Sequence, residues 1–431
     1  MKLNKRANLR YVWMYMDKRV IELLDKATDF QVDSRKIGPG SVFFALPGKK
    51  VNGTDFLDQV AKRGAIAALV PSEYRGSGYG LDLIHVQNVE ECLQTLAKKS
   101  LNKEKVVGVT GSVGKTTTKE FIWQLVKDSI PAWRSPGNAN SQIGLPLSLL
   151  NRDRSKELLI VEYGVSEKGD MSKLLQIVKP TLGVITKICG VHLEGLGDIA
   201  GVLQEKGRLV TAAKKGVFPF SLKEGLRGVC VGKGGDYWLE KELVCEKGKK
   251  VKVDLPFSEE HFIQNMLTAF AVGRELGIES EVLAKRCSFL KTGSMRFEKL
   301  RKKGMLIIKD MYNASEESMK MALANLPKSS KGRVIGVLGQ MAELGTFSEK
   351  MHFSVGEFAR DKLDILLVLG KGASEINRGF KRSKKPSFHY LTKDGLIEKL
   401  KKLARPEDVI LIKGSRFLQM EDIYQEVFDT P

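Results

Sequence analysis

The sequence predicts an α/β protein of three domains, each built on a largely parallel sheet. Short β-branched runs alternate with longer helical stretches along the chain, which is the pattern of parallel sheets covered by helices. A length of 431 residues suits two to four domains at about 100–200 residues each. The pattern is interrupted by a mostly polar stretch at residues 98–105 and by a glycine-containing stretch at residues 291–294. These two breaks favour three domains.

The first predicted domain is a small α/β unit covering residues 1–101. Residues 41–46 and 65–70 have the apolar composition of buried strands, and a helical pattern lies between them. Residues 1–15 are rich in basic side chains, so we expect them to form a basic extension. Met16 is then an alternative start of translation.

The second and third predicted domains cover residues 102–292 and 293–431. The second has the strands of a parallel sheet, predicted at residues 106–109, 158–161 and 182–185. The third is predicted to be a Rossmann-like α/β domain, with strands at residues 306–308, 334–338, 365–369 and 409–412. We expect hinges near residues 102–105 and 291–294, and an exposed loop at the basic run 381–385.

A phosphate-binding loop follows the first strand of the second domain, which makes that domain a P-loop ATPase type. The strict pattern G-x-x-x-x-G-K-[ST] fails because Val109 occupies its first glycine position, but the shorter form Gly111-x-x-Gly114-Lys115-Thr116 is present. Backbone N–H groups of such a loop surround a triphosphate, with the lysine at the β- and γ-phosphates and the threonine hydroxyl on Mg²⁺. An ordinary glycine turn is the alternative, but the flanking strand and helix favour nucleotide binding. The predicted ATP contacts here are Thr110, Gly111, Ser112, Val113, Gly114, Lys115, Thr116 and Thr117.

Three polar residues lie at or after strand ends, where ligands gather in open α/β sheets. Glu162 directly follows the apolar run 158–161 and could share a Mg²⁺ with Thr116. His192 lies beyond the strand at 182–185, and Lys206 lies further on in a helical pattern. Taken alone, a glutamate at a strand end is usually solvated. A single histidine usually has a structural role, and a lysine on a helix is usually exposed.

Composition excludes several classes of protein. Lys and Arg number 71 against 51 Asp and Glu, and the difference of +20 suits either a nucleic-acid partner or polyanionic small substrates. No apolar run approaches the roughly 18–20 residues of a spanning helix. The five cysteines are scattered, without a CxxC motif, which indicates reduced thiols and a cytoplasmic protein.

Several motifs in this order resemble those of the Mur ligases, the ATP-dependent amide-forming enzymes of peptidoglycan precursor synthesis. They are the phosphate loop, the stretch 137–146 (GNANSQIGLP), Glu162, and the run HLEG at 192–195 with Lys206 downstream. The resemblance implies ATP as cosubstrate and two Mg²⁺ ions, held by Thr116, Glu162, His192 and Lys206. It implies that Lys206 is carbamylated, which turns a cation into an anionic metal ligand. With Lys115, the residues Glu162, His192 and Lys206 form the expected catalytic set, and Asn265, Arg296 and Asp310 are the expected further ATP contacts.

The third domain indicates which Mur-type reaction to expect. Residues 310–314 (DMYNA), 341–345 (MAELG) and 413–416 (KGSR) resemble the motifs of the reaction that joins D-alanyl-D-alanine to UDP-N-acetylmuramoyl-tripeptide through an acyl phosphate. The first domain, with 33–46 (DSRKIGPGSVFFAL), resembles a uridine-binding domain. The resemblance therefore implies small-molecule substrates, no nucleic-acid or membrane partner, and a monomer. The expected substrate-binding residues are Ser34, Arg35, Asn138, Asn140, Asn313, Glu343, Lys413 and Arg416.

The chain departs from the family pattern at a few positions. Arg208 stands where an acidic residue is expected, and Gln340 follows Gly339 where Asp is usual. A different Mur-type ligase or a folylpolyglutamate-type ligase is one alternative. A nucleic-acid-dependent P-loop NTPase is another, although no helix-turn-helix, zinc or aromatic-platform pattern supports it.

Overall fold

The computed structural model describes residues 17–246, 248–328 and 331–429. Within them lie three sheets, one after another along the chain, each flanked by helices. The predicted α/β fold with three domains is confirmed. The predicted basic extension at residues 1–15 and the alternative start at Met16 lie outside the described residues.

The N-terminal sheet, as far as it is described, has four parallel strands in the order β1-β2-β3-β4. One face of β2 packs on the first and third helices of the domain, because Phe44 points into the same apolar cluster as Val20 and Leu93. The strands are β1 (Phe30–Gln31), β2 (Val42–Phe44), β3 (Ala67–Pro71) and β4 (Asp82–Val86), and the helices are α1 (Lys18–Lys26), α2 (Leu57–Lys62) and α3 (Val89–Lys99).

The central sheet has the strand order β13-β12-β11-β10-β9-β8-β5-β7-β6 in the described residues, and β5 to β10 run parallel. Its strands are β5 (Lys105–Thr110), β6 (Ala132–Arg134), β7 (Leu158–Glu162), β8 (Leu182–Ile185), β9 (Lys215–Pro219), β10 (Val229–Val231), β11 (Tyr237–Glu240), β12 (Leu243–Glu246) and β13 (Lys249–Lys252). Its helices are α4 (Lys115–Val126), α5 (Gly144–Leu150), α6 (Asp170–Ile177), α7 (Leu193–Leu196), α8 (Ile199–Ala212), α9 (Glu260–Glu275) and α10 (Ser280–Cys287).

Strand β7 shows why this sheet has helices on both faces. Its side chains alternate, so Leu158 and Ile160 enter one buried cluster while Leu159 and Val161 enter another. The second cluster also contains the N-terminal helices, so the first two domains share one core. Glu162 ends the strand at the edge of the sheet where the phosphate loop begins.

The C-terminal sheet has the order β14-β15-β19-β16-β17-β18 in the described residues, with β14 antiparallel and the rest parallel. The sequence did not predict β14 or β18. The strands are β14 (Glu298–Lys302), β15 (Met305–Lys309), β16 (Val334–Gly339), β17 (Ile365–Leu369), β18 (Ser387–Tyr390) and β19 (Val409–Lys413). The helices are α11 (Glu316–Ala324), α12 (Ser348–Ala359), α13 (Ser374–Lys381), α14 (Lys393–Leu403) and α15 (Glu421–Tyr424).

The linker between the first two domains is shorter than the sequence predicts, and it is hydrogen-bonded to the central domain. Only residues 100–104 separate α3 from β5. The buried guanidinium of Arg152 donates to the backbone oxygens of Ser100 and Leu149 and pairs with the Glu104 carboxylate. This network fastens Ser100 and Glu104 of the linker to the central domain.

The second linker is held at one end and strained at the other. Gln124 exchanges two hydrogen bonds with the backbone of Lys291, at 3.0 and 2.8 Å. Shortly after, Met295 and Phe297 adopt φ values of 57° and 52°, a left-handed conformation that is unfavourable for residues other than glycine. Two residues in this conformation therefore flank Arg296.

The basic run at residues 381–385 is exposed at Lys381, Arg382 and Lys384, as the sequence predicts, whereas Lys385 is half-buried. Lys385 donates from Nζ to the carbonyl oxygens of Arg360 and Leu363, each at 2.8 Å. Its ammonium thus ends a helix and a turn rather than facing water. None of the helices in the described ranges combines the length and apolarity needed to cross a bilayer.

We expect Glu104→Gln to destabilise the protein by about 1–3 kcal/mol near pH 7, because the Arg152 cation loses its buried anionic partner. Burial alone would raise the pKa of Glu104, but the hydrogen bond and charge of Arg152, together with hydrogen bonds from the backbone N–H groups of Glu104 and Asn102, outweigh it, and the pKa lies below its usual value. A lowered carboxyl pKa contributes stability above the unfolded pKa of about 4.3, and that contribution is lost as pH falls through the folded value.

Urea unfolding at pH 7 and at a pH near 3 measures this effect. The difference in unfolding free energy between wild type and Glu104→Gln should be smaller at the lower pH. Glu224→Gln, at an exposed position, should match wild type at both pH values. A difference in unfolding free energy that does not change with pH would contradict the view that Glu104 stabilises the protein as an anion paired with Arg152.

Candidate active site

A cavity of about 1020 Å³ lies between the central and C-terminal domains. On the central side it opens where β5 and β7 end, which is the position expected for a ligand in an open α/β sheet. Most of the residues predicted for the site line it. They are Ser112, Val113, Gly114, Lys115, Thr116, Thr117, Asn138, Asn140, Glu162, His192, Asn265, Arg296, Asp310, Asn313, Glu343 and Lys413.

The phosphate loop connects β5 to the first turn of α4. Gly114 has a φ of 84°, and a Cβ there would lie 2.6 Å from Oδ1 of Asn265, so only glycine lets the loop pass under that side chain. Lys115 folds back over the loop and donates from Nζ to the carbonyl oxygens of Gly111 (2.8 Å) and Ser112 (3.3 Å). Burial lowers the pKa of Lys115, and the Glu162 carboxylate opposes that shift. The ammonium therefore lies over the loop at the helix N-terminus, where a helix favours bound anions.

Glu162 is buried, contrary to the usual behaviour of a strand-end glutamate, with 1% of its surface exposed. Its Oε2 accepts a hydrogen bond from the Thr116 hydroxyl, and its Oε1 accepts one from Nδ2 of Asn140, both at 2.8 Å. A hydroxyl and a carboxylate in direct contact are ligands that Mg²⁺ prefers, usually together with substrate phosphates. This pair fits one magnesium ion.

His192 lies across the cavity entrance from the C-terminal domain. Its Nδ1 lies against the carboxylate of Glu343, and this contact lowers the pKa of Glu343. Both residues have left-handed backbones, with φ of 52° and 59°. A second ion pair, Lys187 with Glu317, joins the same two domains.

Lys206 is fully buried, whereas a helix lysine taken alone is expected to be exposed. The nearest acceptor of its Nζ is the carbonyl oxygen of Val165, at the long distance of 3.4 Å. Burial lowers the pKa of Lys206 to about 7. This shift favours the neutral amine, which is the form that reacts with CO₂. Its Nζ does not reach the cavity wall, and neither do Thr110 and Gly111.

The predicted second metal site has few donors in the described residues. No group of three or more His, Cys, Asp and Glu side chains that could hold a metal occurs in the parts of the chain that the structure describes. Of the four residues predicted to bind metal, Thr116 and Glu162 hydrogen-bond to each other, whereas an ammonium at Lys206 has no lone pair to offer a metal.

On the C-terminal side, Lys413 organises the residues that face the phosphate loop. Its side chain is 2% exposed, and Nζ donates to Oδ2 of Asp310 (2.7 Å) and to the carbonyl oxygen of Asn313 (3.0 Å). The guanidinium of Arg296 lies 4.0 Å from the ring centre of Tyr312. These contacts give Lys413 a structural role in addition to its place in the wall.

Three predicted substrate residues do not reach the cavity wall. Arg35 pairs with Asp33, and its side chain is 80% exposed, while the neighbouring Ser34 is buried in the N-terminal domain. Arg416 pairs with Glu421 at 2.7 Å. None of Ser34, Arg35 and Arg416 is part of the lining.

Sequence reasoning missed several residues near the site. Tyr312 and His261 line the cavity. His352 is buried and accepts a hydrogen bond at Nε2 from the backbone N–H of Met341 (2.9 Å), which fixes the turn before Glu343. Lys119 is buried in α4. The only available signal for Lys119 was its spacing of four residues from Lys115, which places both on one face of the helix.

Three family models match consecutive parts of the chain. The model described as Mur ligase family, catalytic domain, matches residues 28–100. The Mur ligase middle domain matches residues 109–222, and the model described as Mur ligase, glutamate ligase domain, matches residues 295–416. The matches follow the order of the three sheets.

Named relatives are similar over nearly the whole chain. The UDP-N-acetylmuramoyl-tripeptide–D-alanyl-D-alanine ligase of Bacillus subtilis is 32% identical over 424 residues, which cover 93% of each chain. The enzyme of the same name from Escherichia coli is 29% identical over 421 residues and 91% of each chain.

Solved structures agree. A MurF ligase from Thermotoga maritima, in complex with ADP, has a TM-score of 0.79 and 29% identity, covering 94% of this chain and 98% of that one. A MurF from Acinetobacter baumannii has a TM-score of 0.83 over 96% and 99% of the two chains, and at 23% identity it supports the fold alone. The likeness thus extends through all three domains in sequence and in structure, and the chain belongs to the Mur ligase family.

Proposed function

We propose that the protein is an ATP-dependent amide ligase that joins D-alanyl-D-alanine to UDP-N-acetylmuramoyl-tripeptide, in peptidoglycan precursor synthesis. The observation that carries the proposal is the cavity, where the phosphate loop and the Thr116–Glu162 pair face Asp310 and Lys413 of another domain. The full-length relatives from Bacillus subtilis and Escherichia coli carry the name of this activity.

The phosphate loop is the proposed ATP site. The T. maritima relative was crystallised with ADP, and its chain matches this one over 94% of the length. Loop N–H groups and the Lys115 ammonium would bind the phosphates, and Asn265, Arg296 and Asp310 would contact the rest of the nucleotide. The Arg296 guanidinium, held over the Tyr312 ring, already faces the cavity.

The proposed reaction has two steps. The terminal carboxylate of the tripeptide attacks the γ-phosphate of ATP, which gives an acyl phosphate and ADP. The free amine of D-alanyl-D-alanine then attacks the acyl carbon, and phosphate leaves. Because both partners of the first step are anions, the main task of the protein is to neutralise charge and hold the reactants in line. Lys115 and the loop amides supply fixed positive charge and dipoles for this purpose.

Magnesium bound to Thr116 and Glu162 would supply further charge neutralisation at the β- and γ-phosphates. Asn140 holds the other oxygen of Glu162, which orients the carboxylate toward the Thr116 hydroxyl. A second ion would use His192 and a carbamylated Lys206. The burial of the Lys206 amine and its lowered pKa support carbamylation.

Closure of the two domains would protect the acyl phosphate, which hydrolyses readily in water. The His192–Glu343 contact and the Lys187–Glu317 ion pair lie between the domains and would form part of the closed interface. Ser34 and Arg35 would contact the uridine diphosphate on the N-terminal domain. Asn138, Asn313 and Arg416 would contact the peptide substrates.

A different Mur-type or folylpolyglutamate-type ligase would share the phosphate loop, so the acceptor separates these candidates. Phosphate release measured with D-alanyl-D-alanine, with single amino acids and with glutamate should be stimulated only by the dipeptide. Stimulation by DNA or RNA instead would support a nucleic-acid-dependent NTPase.

We expect Lys115→Ala to lower the rate of ADP release that depends on both tripeptide and dipeptide by at least about 10²–10³-fold, because a fixed charge at the transferred phosphoryl group is lost. A coupled ADP assay measures this. Lys127→Ala, at the exposed C-terminal cap of the same helix, is the matched control and should behave as wild type. Turnover of Lys115→Ala near the wild-type rate would show that the phosphates bind elsewhere.

We expect Lys206→Ala to lose about 10²-fold or more of the activity, and millimolar acetate or propionate to restore part of it, because a small carboxylate can occupy the space of the carbamate. The same assay with increasing carboxylate measures the rescue. Lys115→Ala should not respond to carboxylate, and wild type should change little. Failure of every short carboxylate to raise Lys206→Ala activity would argue against the carbamate.

A further inference from the structure

Lys119 is a buried ammonium on α4, one helical turn beyond Lys115. None of its side chain is exposed, and Nζ donates to the carbonyl oxygens of Ser135 (2.7 Å) and Gly137 (2.6 Å). The nearest carboxylate oxygen, Oε1 of Glu120, is 3.6 Å away, and Glu120 itself bonds to Arg134 at 2.6 Å. The charge of Lys119 is therefore bound mainly by two backbone carbonyls.

These carbonyls belong to the loop of residues 135–143, which connects β6 to α5 and is called here the asparagine loop. Several of its residues line the cavity, among them Asn138 and Asn140. The side chain of Asn140 bonds to Glu162 (2.8 Å), and its carbonyl oxygen accepts from the N–H of Gly164 (2.9 Å). At the start of the loop, Oγ of Ser135 accepts from the backbone N–H of Glu162 (3.3 Å).

The asparagine loop packs closely against the residues that follow β7. A Cβ on Gly164 would lie 2.5 Å from Oδ1 of Asn140. A shift of the asparagine loop would therefore move the amide that holds Glu162. Lys119 binds two other carbonyls of the same loop, from the helix whose first residues are Lys115 and Thr116.

Removing an ammonium from water is costly unless strong partners compensate. Burial lowers the pKa of Lys119, and the Glu162 carboxylate is the largest influence opposing that shift. An apolar side chain of similar length would fill the same space without this cost. An apolar side chain could not bind two carbonyls of the asparagine loop at once. It also could not supply a positive charge that interacts with the Glu162 carboxylate.

We propose that Lys119 is a positioning residue of the ligase, which sets the asparagine loop, and through Asn140 the Glu162 carboxylate, relative to the phosphate loop. Lys119 itself touches neither nucleotide nor peptide. The inference rests on the proposed ligase function and deepens it, because it assigns to α4 the coupling between the nucleotide side and the peptide side of the cavity.

The test compares Lys119→Met with wild type in three measurements: steady-state kinetics for both substrates, affinity for a fluorescent ADP analogue in EDTA, and thermal melting. We expect kcat/KM for the UDP-linked tripeptide to fall about tenfold or more, while the metal-free ADP affinity changes less than twofold. Lys119→Arg, which keeps the donors, should recover part of the loss. Lys127→Met should match wild type throughout.

Asn140→Ala provides the second arm of the test. If Lys119 acts through Asn140, Lys119→Met in the Asn140→Ala background should cost clearly less than in wild type. Equal costs in both backgrounds, unchanged kinetics, or a loss of ADP affinity as large as the loss of kcat/KM would each overturn the proposal.

If Lys119→Met does not fold, Gly137→Ala serves instead. Gly137 has a φ of 51° and open space around the position of a Cβ, so alanine strains the accepting carbonyl without a clash. It should produce the same selective loss to a smaller degree, and unaltered kinetics would overturn the proposal. Absence of ligation by wild type itself would contradict the proposed function, whereas wild-type ligation with unaffected variants would contradict only the role of Lys119.

Discussion

The site depends on one buried negative charge, the carboxylate of Glu162. A carboxylate with 1% exposure is stable only if its oxygens are bound and opposite charge is near. Thr116 and Asn140 bind the oxygens, and the carboxylate opposes the effect of burial on the pKa of three lysines, Lys115, Lys119 and Lys206. Strand β7, helix α4 and the asparagine loop all meet at this side chain. Their relative positions are therefore set by the need to compensate it.

The parts of the fold that sequence patterns predicted are those with a continuous run of buried apolar side chains. Strands β7 and β17 are buried at every residue, and their bounds agree with the predicted runs to within one residue. The edge strands β13 and β18 escaped prediction because they are exposed or half-buried, and lysines or a serine and a histidine interrupt their apolar pattern. Local composition shows which segments of the chain are buried in a core. An exposed edge strand is recognised only by its backbone pairing with a neighbouring strand, which composition does not reveal.

For the site, the phosphate loop was predictable because its glycines and lysine are adjacent in sequence. The burial of Lys206 was not, since it results from the packing of α8 against elements far away in the chain. The resemblance to a family identified Lys206 as a candidate site residue, but it did not predict that the side chain is buried. The two carbonyl contacts of Lys119 also come from tertiary structure, because residues 16 and 18 positions away approach its ammonium. Arg35 and Arg416 show the converse, since motif membership did not bring their side chains to the cavity wall.

The left-handed backbones of His192 and Glu343 bear on how freely the enzyme can release its product. Each such conformation costs a non-glycine residue on the order of 1 kcal/mol. The contact between their side chains is partly exposed, and even fully charged pairs of that kind contribute about 0–1 kcal/mol. The costs and the gain are of similar size, so this contact does not lock the domains together. An empty or spent cavity can open at little energetic expense, and binding of substrates can supply the remaining preference for the closed form.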